Sequence, residues 1–278
     1  VSALEQAAIF HERAIASDPA LLSSHSNLGL VYGELERPQD ARRCFEHVLA
    51  VEPGHATAQH MLAAMTGDTT RRAPAGYVSQ LFDDYARSFD ESLVGALKYD
   101  MPARIAALLT QRFGDRQFER AVDLGCGTGL VGAALEGCVG RMVGVDLSPK
   151  MIEHSRARGR YDELCVADAE TYLATATAFD LIVAADVFIY LGDLTAMFAT
   201  AARALTPAGV MVFSSETEPD DGADYVLRST GRYAHSRRYL ASLAAAHGLE
   251  VVATLEVPLR LHREVPIMGT LSLLARAR

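Results

Sequence analysis

No apolar run in the chain approaches the roughly 20 residues that a membrane span needs. Near the N-terminus, Glu5 and His11 stand where a signal peptide would place a basic start and an apolar stretch. A cytoplasmic location is the expectation, and Val1 in place of Met is how a trimmed chain would begin. Basic residues are also in deficit: 26 Lys and Arg face 35 Asp and Glu, a formal net charge of −9. Gripping a phosphate backbone normally requires a basic face, so nucleic acid is a poor partner for this composition. Only four cysteines occur, Cys44, Cys126, Cys138 and Cys165, and none forms a C-x-x-C pair, which reads as reduced thiols. There is no H-E-x-x-H and no Cys/His cluster, so no metal is expected, and Asp220-Asp221-Gly222 reads as a solvated turn. What the chain does have is size and apolar content: 278 residues, half of them hydrophobic, enough for one large domain or two modest ones.

Up to about Gly67 the apolar residues recur at spacings of three and four, with proline only between segments, which predicts helices over 1–66. Pro19 and Pro53 lie 34 residues apart, and Leu28, Gly29, Tyr32, Ala41, Phe45 and Val48 fall between them at repeat-like positions. Ala7 and Ala14 fit the second helix of a preceding unit. Small residues let antiparallel helices approach closely, while Tyr32 and Phe45 fill the gaps. This pattern resembles one full tetratricopeptide (TPR) repeat flanked by partial ones. Such a segment either caps or dimerises its neighbour or binds a protein partner. Residues 67–76 lack periodicity and are rich in breakers, so they read as a linker.

From about residue 118 short β-rich runs alternate with helical ones, the pattern of βαβ units. Strands are expected near 120–124, 141–145, 162–166, 179–184 and 209–215, a helix near 237–247, and two final strands over Leu249–Val257 and Pro266–Ala275. Too little chain joins the last two for a crossover helix, so they should pair antiparallel. The expected fold is α/β: a doubly wound, mostly parallel sheet of seven strands with an antiparallel last strand, preceded by the all-α TPR-like segment.

Ala121-Val122-Asp123-Leu124-Gly125-Cys126-Gly127-Thr128-Gly129 places glycines at a strand's carboxyl end, where the backbone must turn sharply and approach a ligand. Gly127-x-Gly129-x-x-Gly132 also satisfies the dinucleotide fingerprint, although its first glycine comes late relative to the strand end. Further along stand Gly144-Val145-Asp146-Leu147-Ser148, then Cys165-Val166-Ala167-Asp168-Ala169-Glu170, then Phe179-Asp180-Leu181-Ile182-Val183-Ala184-Ala185-Asp186. In that order these four stretches resemble the motifs of class I S-adenosylmethionine (SAM)-dependent methyltransferases. The lid-like stretch Tyr77 to Asp90, Leu97 to Pro102, and Gly231 to Ser236 resemble a group of predicted bacterial TPR-containing methyltransferases. The resemblance implies a helical lid over 77–117 and a Rossmann-like core over 118–278. It also implies a SAM site built from Tyr77, Tyr85, Arg87, Asp123, Gly125, Cys126, Gly127, Gly129, Asp146, Leu147, Met151, Asp168, Ala169, Ala185 and Asp186. Within that set Asp146 is expected on the ribose hydroxyls and Asp168 at the adenine, with Phe82 and Phe89 as core anchors; Asp180, in contrast, is expected to cap a strand entry.

Methyl transfer from a sulfonium is an in-line displacement, so alignment is the main demand, and a base is needed only when the acceptor must lose a proton. His235 is the first candidate base because an imidazole titrates near neutrality and this one precedes a helix start at Ser236. Tyr190 is the second catalytic candidate; Glu216, Tyr233 and His262 are further acceptor-side groups. The fourth strand lacks the Asn/Asp-Pro-Pro-aromatic motif of nucleic-acid amino methylation. A metal-independent O- or N-methyltransferase of a small molecule is the leading expectation. The alternatives are a protein methyltransferase whose helical segment docks its substrate, and an NAD-dependent oxidoreductase or non-catalytic nucleotide-binding scaffold.

Overall fold

A computed structural model describes residues 2–86, 99–262 and 264–277, and within it the chain divides into two compact units. One comprises Val1–Tyr77 with Leu227–Arg232, the other Val78–Val226 with Tyr233–Arg278. Among the described residues no helix is long and apolar enough to cross a membrane.

The first unit contains α1 (Ala3–Ser17), α2 (Leu22–Glu34), α3 (Pro38–Val51) and α4 (Ala56–Thr66), each packed on the next. Their ends follow from local chemistry. Ser2 and Glu5 form a reciprocal capping box on α1, Pro38 opens α3, and Gly67 closes α4 in the left-handed conformation at φ 81°. The seam depends on Gly29, because a Cβ there would lie 2.7 Å from Phe45 Cε1. Phe45 and Ala41 are fully buried beside it. The Tyr32 hydroxyl donates to Glu12 Oε1 at 2.6 Å, linking α2 to α1. Leu227–Arg232 belong to this unit as well: the Leu227 amide donates to Thr69 Oγ1 (3.2 Å) and His60 Nε2 donates to the Gly231 carbonyl (2.8 Å).

The second unit is a sheet with helices on both faces. Its strands are β1 (Phe118–Leu124), β2 (Val139–Asp146), β3 (Glu163–Val166), β4 (Phe179–Ala184), β5 (Leu205–Glu218), β6 (Tyr225–Leu227), β7 (Tyr233–Ser236), β8 (Leu249–His262) and β9 (Val265–Arg276). Five run parallel in the order β3-β2-β1-β4-β5. β9 then pairs antiparallel with β5, and β8 antiparallel with β9, so the last strand lies inside the sheet rather than at its edge. Among the described residues the sheet has nine strands rather than the expected seven. The two additions, β6 and β7, are three and four residues long, too short to show a period; β7 pairs with the end of β5. Asp180 ties the strand entries together: it accepts the Glu119 amide at 2.9 Å and the Thr206 hydroxyl at 2.9 Å.

Alternation along the central strands buries both faces. Val122, Ile182 and Ala184 face α9 (Ala169–Thr175), α10 (Thr195–Ala204) and α11 (Arg237–Ala246); Ala121, Leu181 and Val183 face α6 (Met101–Phe113) and α7 (Leu130–Ala134). On the first face Phe213 holds a fully buried aromatic cluster, with ring centroids 4.8 Å from Phe188 and 5.8 Å from Phe198. Phe213→Ala should therefore cost about 3–5 kcal/mol, read as a lower urea midpoint at unchanged slope. Stability within about 0.5 kcal/mol of wild type would show that this face is not packed as described.

Candidate functional site

The strand order reverses between β1 and β4, and such a reversal opens a crevice at the carboxyl ends of the strands. β1 runs straight into the glycine loop there. Gly125, Gly127 and Gly129 take φ of 66°, 52° and 92°, a region in which L side chains are strained. A Cβ on Gly125 would also lie 2.5 Å from Val187 Cγ2.

Two buried carboxylates set this loop. Asp146, at the end of β2, accepts the Gly127 amide on Oδ2 (2.9 Å) and the Ser148 amide on Oδ1 (2.8 Å). Burial pushes its carboxyl up, while those amides oppose the shift. Asp123 has no solvent exposure; its Oδ2 accepts the Tyr161 hydroxyl at 2.6 Å, and its Oδ1 has no hydrogen-bond partner among the described residues. Burial raises the Asp123 carboxyl to about 7, and the Tyr161 bond works against that rise.

Tyr161 is the loop residue that sequence reasoning missed. Its hydroxyl also accepts the Gly132 amide at 3.1 Å, and its ring fills the space that a Cβ on Gly132 would need, 2.7 Å from Cζ. The only trace in the sequence is the run of glycines that makes room for it. Arg158 adds a further brace by donating from Nε to the Thr128 carbonyl at 2.7 Å.

The helix α5 (Ala75–Tyr85) docks on the turn after β2. Ser79 Oγ donates to the Leu147 carbonyl at 3.2 Å, and Asp83 accepts the Ser148 hydroxyl and the Lys150 amide. Ser148 in turn caps α8 (Pro149–Arg158) by accepting the Met151 amide at 3.0 Å, with Met151 fully buried beneath. Of the lid residues, Tyr85 is exposed at the end of α5. Tyr77 is buried in the first unit, 4.7 Å from the His60 ring and with its hydroxyl 3.9 Å from Met61 Sδ. Arg87 and Phe89 lie outside the described residues, as does the His262 side chain. Phe82 meets Tyr190 edge to face at 5.6 Å. Asp168 caps α9 through the Thr171 amide at 3.0 Å, with Ala169 its first residue. Burial pushes the Cys126 thiol far up, so that side chain stays neutral.

A second cluster gathers at the ends of β4 and β5. Asp186, which follows Ala185, holds φ 55° without being glycine, a strained conformation that surrounding bonds must enforce. Ser214 enforces it: its hydroxyl accepts the Asp186 amide at 2.8 Å and donates to Asp186 Oδ1 at 2.9 Å. Arg260, only 6% exposed, reaches in from β8; its Nη2 pairs with Glu216, and its Nη1 stands 3.8 Å from Asp186 Oδ2 without a hydrogen-bond partner among the described residues. Tyr99 is buried within the field of Asp123, Asp186 and Arg260, its phenol pushed well above the usual range first by burial and then by the two carboxylates.

His235 stands in a different environment from the one its titration range led us to expect. It is 1% exposed, Nε2 faces the carbonyls of Leu191 (2.8 Å) and Gly192 (3.1 Å), and burial pulls its imidazole down to about 4. In the neutral ring Nε2 must carry the hydrogen, so the side chain props the turn that holds Tyr190. Ser236 does start α11, accepting the Tyr239 amide at 3.1 Å. Among the described residues no group of three or more His, Cys, Asp and Glu side chains is placed to hold a metal ion.

Comparison with known proteins fits this geometry. Residues 122–213, which run from β1 through the loop to β5, match the family model described as a methyltransferase domain. The N-methyltransferase NodS from Bradyrhizobium japonicum, solved with S-adenosylhomocysteine (SAH), superposes with a TM-score of 0.58 at 20% identity, covering 72% of this chain and 99% of that one. The second unit has the class I methyltransferase fold. Among curated relatives, an aklanonic acid methyltransferase, DauC, of Streptomyces sp. (strain C5) is 37% identical over 105 residues, 35% of this chain and 48% of its own length. A ubiquinone biosynthesis O-methyltransferase of Thiobacillus denitrificans is 27% identical over 150 residues, 48% of this chain and 65% of that protein. The chain thus spans between about half and two thirds of the length of these relatives.

Burying Asp123 favours its neutral acid, because the value of about 7 lies above the ordinary 3.8. That contribution to stability is complete below about pH 4 and is lost as pH rises through about 7. In urea unfolding at about pH 5 and 8, Asp123→Asn should remove this component and flatten the difference; an unchanged pH slope would contradict the burial argument.

Proposed function

We propose that this chain is a SAM-dependent methyltransferase acting on an O or N atom of a small molecule, without a metal. The observation that carries the reading is the clamp of Asp146 on the Gly127 amide, which sets a left-handed glycine turn beside a carboxylate at the strand edge. The residues fit the cofactor. The fully buried Asp123 Oδ1 has no hydrogen-bond partner among the described residues, and Gly125, where a Cβ would lie 2.5 Å from Val187 Cγ2, lets the backbone turn there. In this reading Asp146 receives the ribose hydroxyls through its remaining lone pairs. Asp168 and Ala169 border the adenine, and Leu147 and Met151 frame the nucleoside. Gly125, Cys126, Gly127 and Gly129 offer backbone, Asp123 faces the amino group of the methionine part, and Ala185 and Asp186 stand at its reacting end. Tyr85 and Arg87 belong to the lid, whereas Tyr77, buried with His60 and Met61, is left out.

When bound, SAM supplies an electrophilic methyl on a sulfonium. The protein's contribution is orientation, which can supply on the order of 7–11 kcal/mol of the barrier in favourable cases. The loop, held from both sides by Asp146 and Tyr161, is already shaped for that task.

The first unit is proposed to be TPR-like and to serve as a structural or dimerising element. The Gly29–Phe45 interlock and the packing of each helix on the next support that assignment. The small-molecule acceptor follows the printed functions of the relatives and the net negative charge of the chain.

Asp146→Ala should weaken SAH binding by about 1–3 kcal/mol, measured calorimetrically on protein whose circular dichroism matches wild type. Unchanged affinity in the folded variant would remove Asp146 from the site.

A further inference from the structure

We propose that Tyr161 is a positioning residue of the loop, holding Asp123 so that its second carboxyl oxygen receives an ammonium group, which displaces a proton from Asp123 to solvent as it binds. The inference rests on the methyltransferase reading, in which that ammonium belongs to the methionine part of the cofactor, and deepens it to the way the cofactor is taken up. Tyr161 lies between α8 and β3, outside any motif, yet three glycines make room for it. A Cβ on Gly129 would lie 3.2 Å from its Cε2, one on Gly132 2.7 Å from its Cζ, and one on Gly144 3.1 Å from its Cδ1. The ring thus packs against the loop after β1, α7 and β2 at once. From that seat its hydroxyl accepts the Gly132 amide at 3.1 Å and donates to Asp123 Oδ2 at 2.6 Å. A phenol has one hydrogen to give, so this bond fixes which oxygen of Asp123 is occupied.

The other oxygen, Oδ1, is buried and has no hydrogen-bond partner among the described residues. Among those residues the charge acting on Asp123 is that of Asp146 on β2, of its own sign, and α7 carries no titratable side chain. Cys126 in the same loop and Tyr99 ahead of α6 lie within its field, and burial keeps both neutral. A buried carboxylate with one side-chain donor and no cation is costly. Burial first, and Asp146 after it, raise the carboxyl to about 7, while the Tyr161 bond opposes them. An ammonium brings what is missing: an N–H for Oδ1 and a positive charge. The exchange balances, because the carboxyl O–H gives its proton to water and the carboxylate left behind pairs with an ammonium that enters already charged. A nucleoside without an amino group brings neither donor nor charge to Oδ1 and displaces no proton.

The test titrates the full chain calorimetrically, in two buffers of different ionisation enthalpy, with SAH and with 5′-methylthioadenosine, which keeps adenine, ribose and sulfur but has no amino group. Below about pH 7 Asp123 holds a proton that the ammonium must displace, so wild-type affinity for SAH should fall at least about tenfold between about pH 8 and pH 5.5. SAH should release most of one proton at about pH 6.5, and 5′-methylthioadenosine should show neither the fall nor the release. Asp123→Asn should abolish the pH dependence. Tyr161→Phe removes the donor that favours the carboxylate, so its fall in SAH affinity should begin at higher pH. It should bind SAH about tenfold more weakly than wild type at about pH 6 and nearly as well at about pH 8.5, whereas a merely structural role would weaken binding equally at every pH. Four results would overturn the proposal: SAH affinity that does not change with pH, a parallel fall for both ligands, pH dependence retained in Asp123→Asn, or a Tyr161→Phe profile parallel to wild type. Failure of wild type to bind either ligand would instead overturn the methyltransferase reading.

Discussion

A carboxylate at the end of β2 cannot be buried and ionised without donors, and the donors that Asp146 finds are the amides of Gly127 and Ser148. Those two bonds do more than satisfy a charge. They fasten the glycine loop after β1 to the turn after β2, and so determine where the backbone of the crevice lies. Everything that meets the loop depends on that setting: Tyr161 beneath Gly132, Arg158 on the Thr128 carbonyl, and α5 on the Leu147–Lys150 turn. The three left-handed glycines make the arrangement sterically accessible, and the carboxylate makes it unique.

The crevice has two ends with different electrostatics. At the loop end Asp123 is favoured as a neutral acid by burial, and Asp146 is held among backbone amides. At the β4 end one guanidinium lies between two carboxylates, with Ser214 holding Asp186 in a strained backbone conformation. Strain of that kind persists only where neighbours over-determine it, and among the described residues the Ser214 hydroxyl bonds both the amide and the carboxylate of Asp186. The two ends thus differ in charge along one sheet edge.

Much of this was legible in the sequence because it is local. The loop glycines, Asp123 and Asp146 each sit at a strand end whose period announces itself, whereas Asp168, expected at the adenine, caps α9. The same holds for Gly29 and Phe45, whose spacing encodes a helix seam. Other parts are invisible for a physical reason. Arg260 meets Asp186 and Glu216 only because β9 inserts between β5 and β8, and no spacing rule carries that register. Tyr161 comes from a connecting segment with no pattern of its own. His235 misled because a histidine's usefulness as a base is set by its surroundings, and here burial and two carbonyls decide them. Likewise Tyr77 sits in a lid-like stretch by sequence but packs within the helical unit.

The central claim is that the loop and its two carboxylates form a SAM site rather than a dinucleotide site, although Gly127, Gly129 and Gly132 satisfy both patterns. Calorimetric titration of the full chain with SAH and with NADH tests this most directly. The claim predicts saturable, stoichiometric binding of SAH and no binding of NADH; binding of NADH with none of SAH would contradict it.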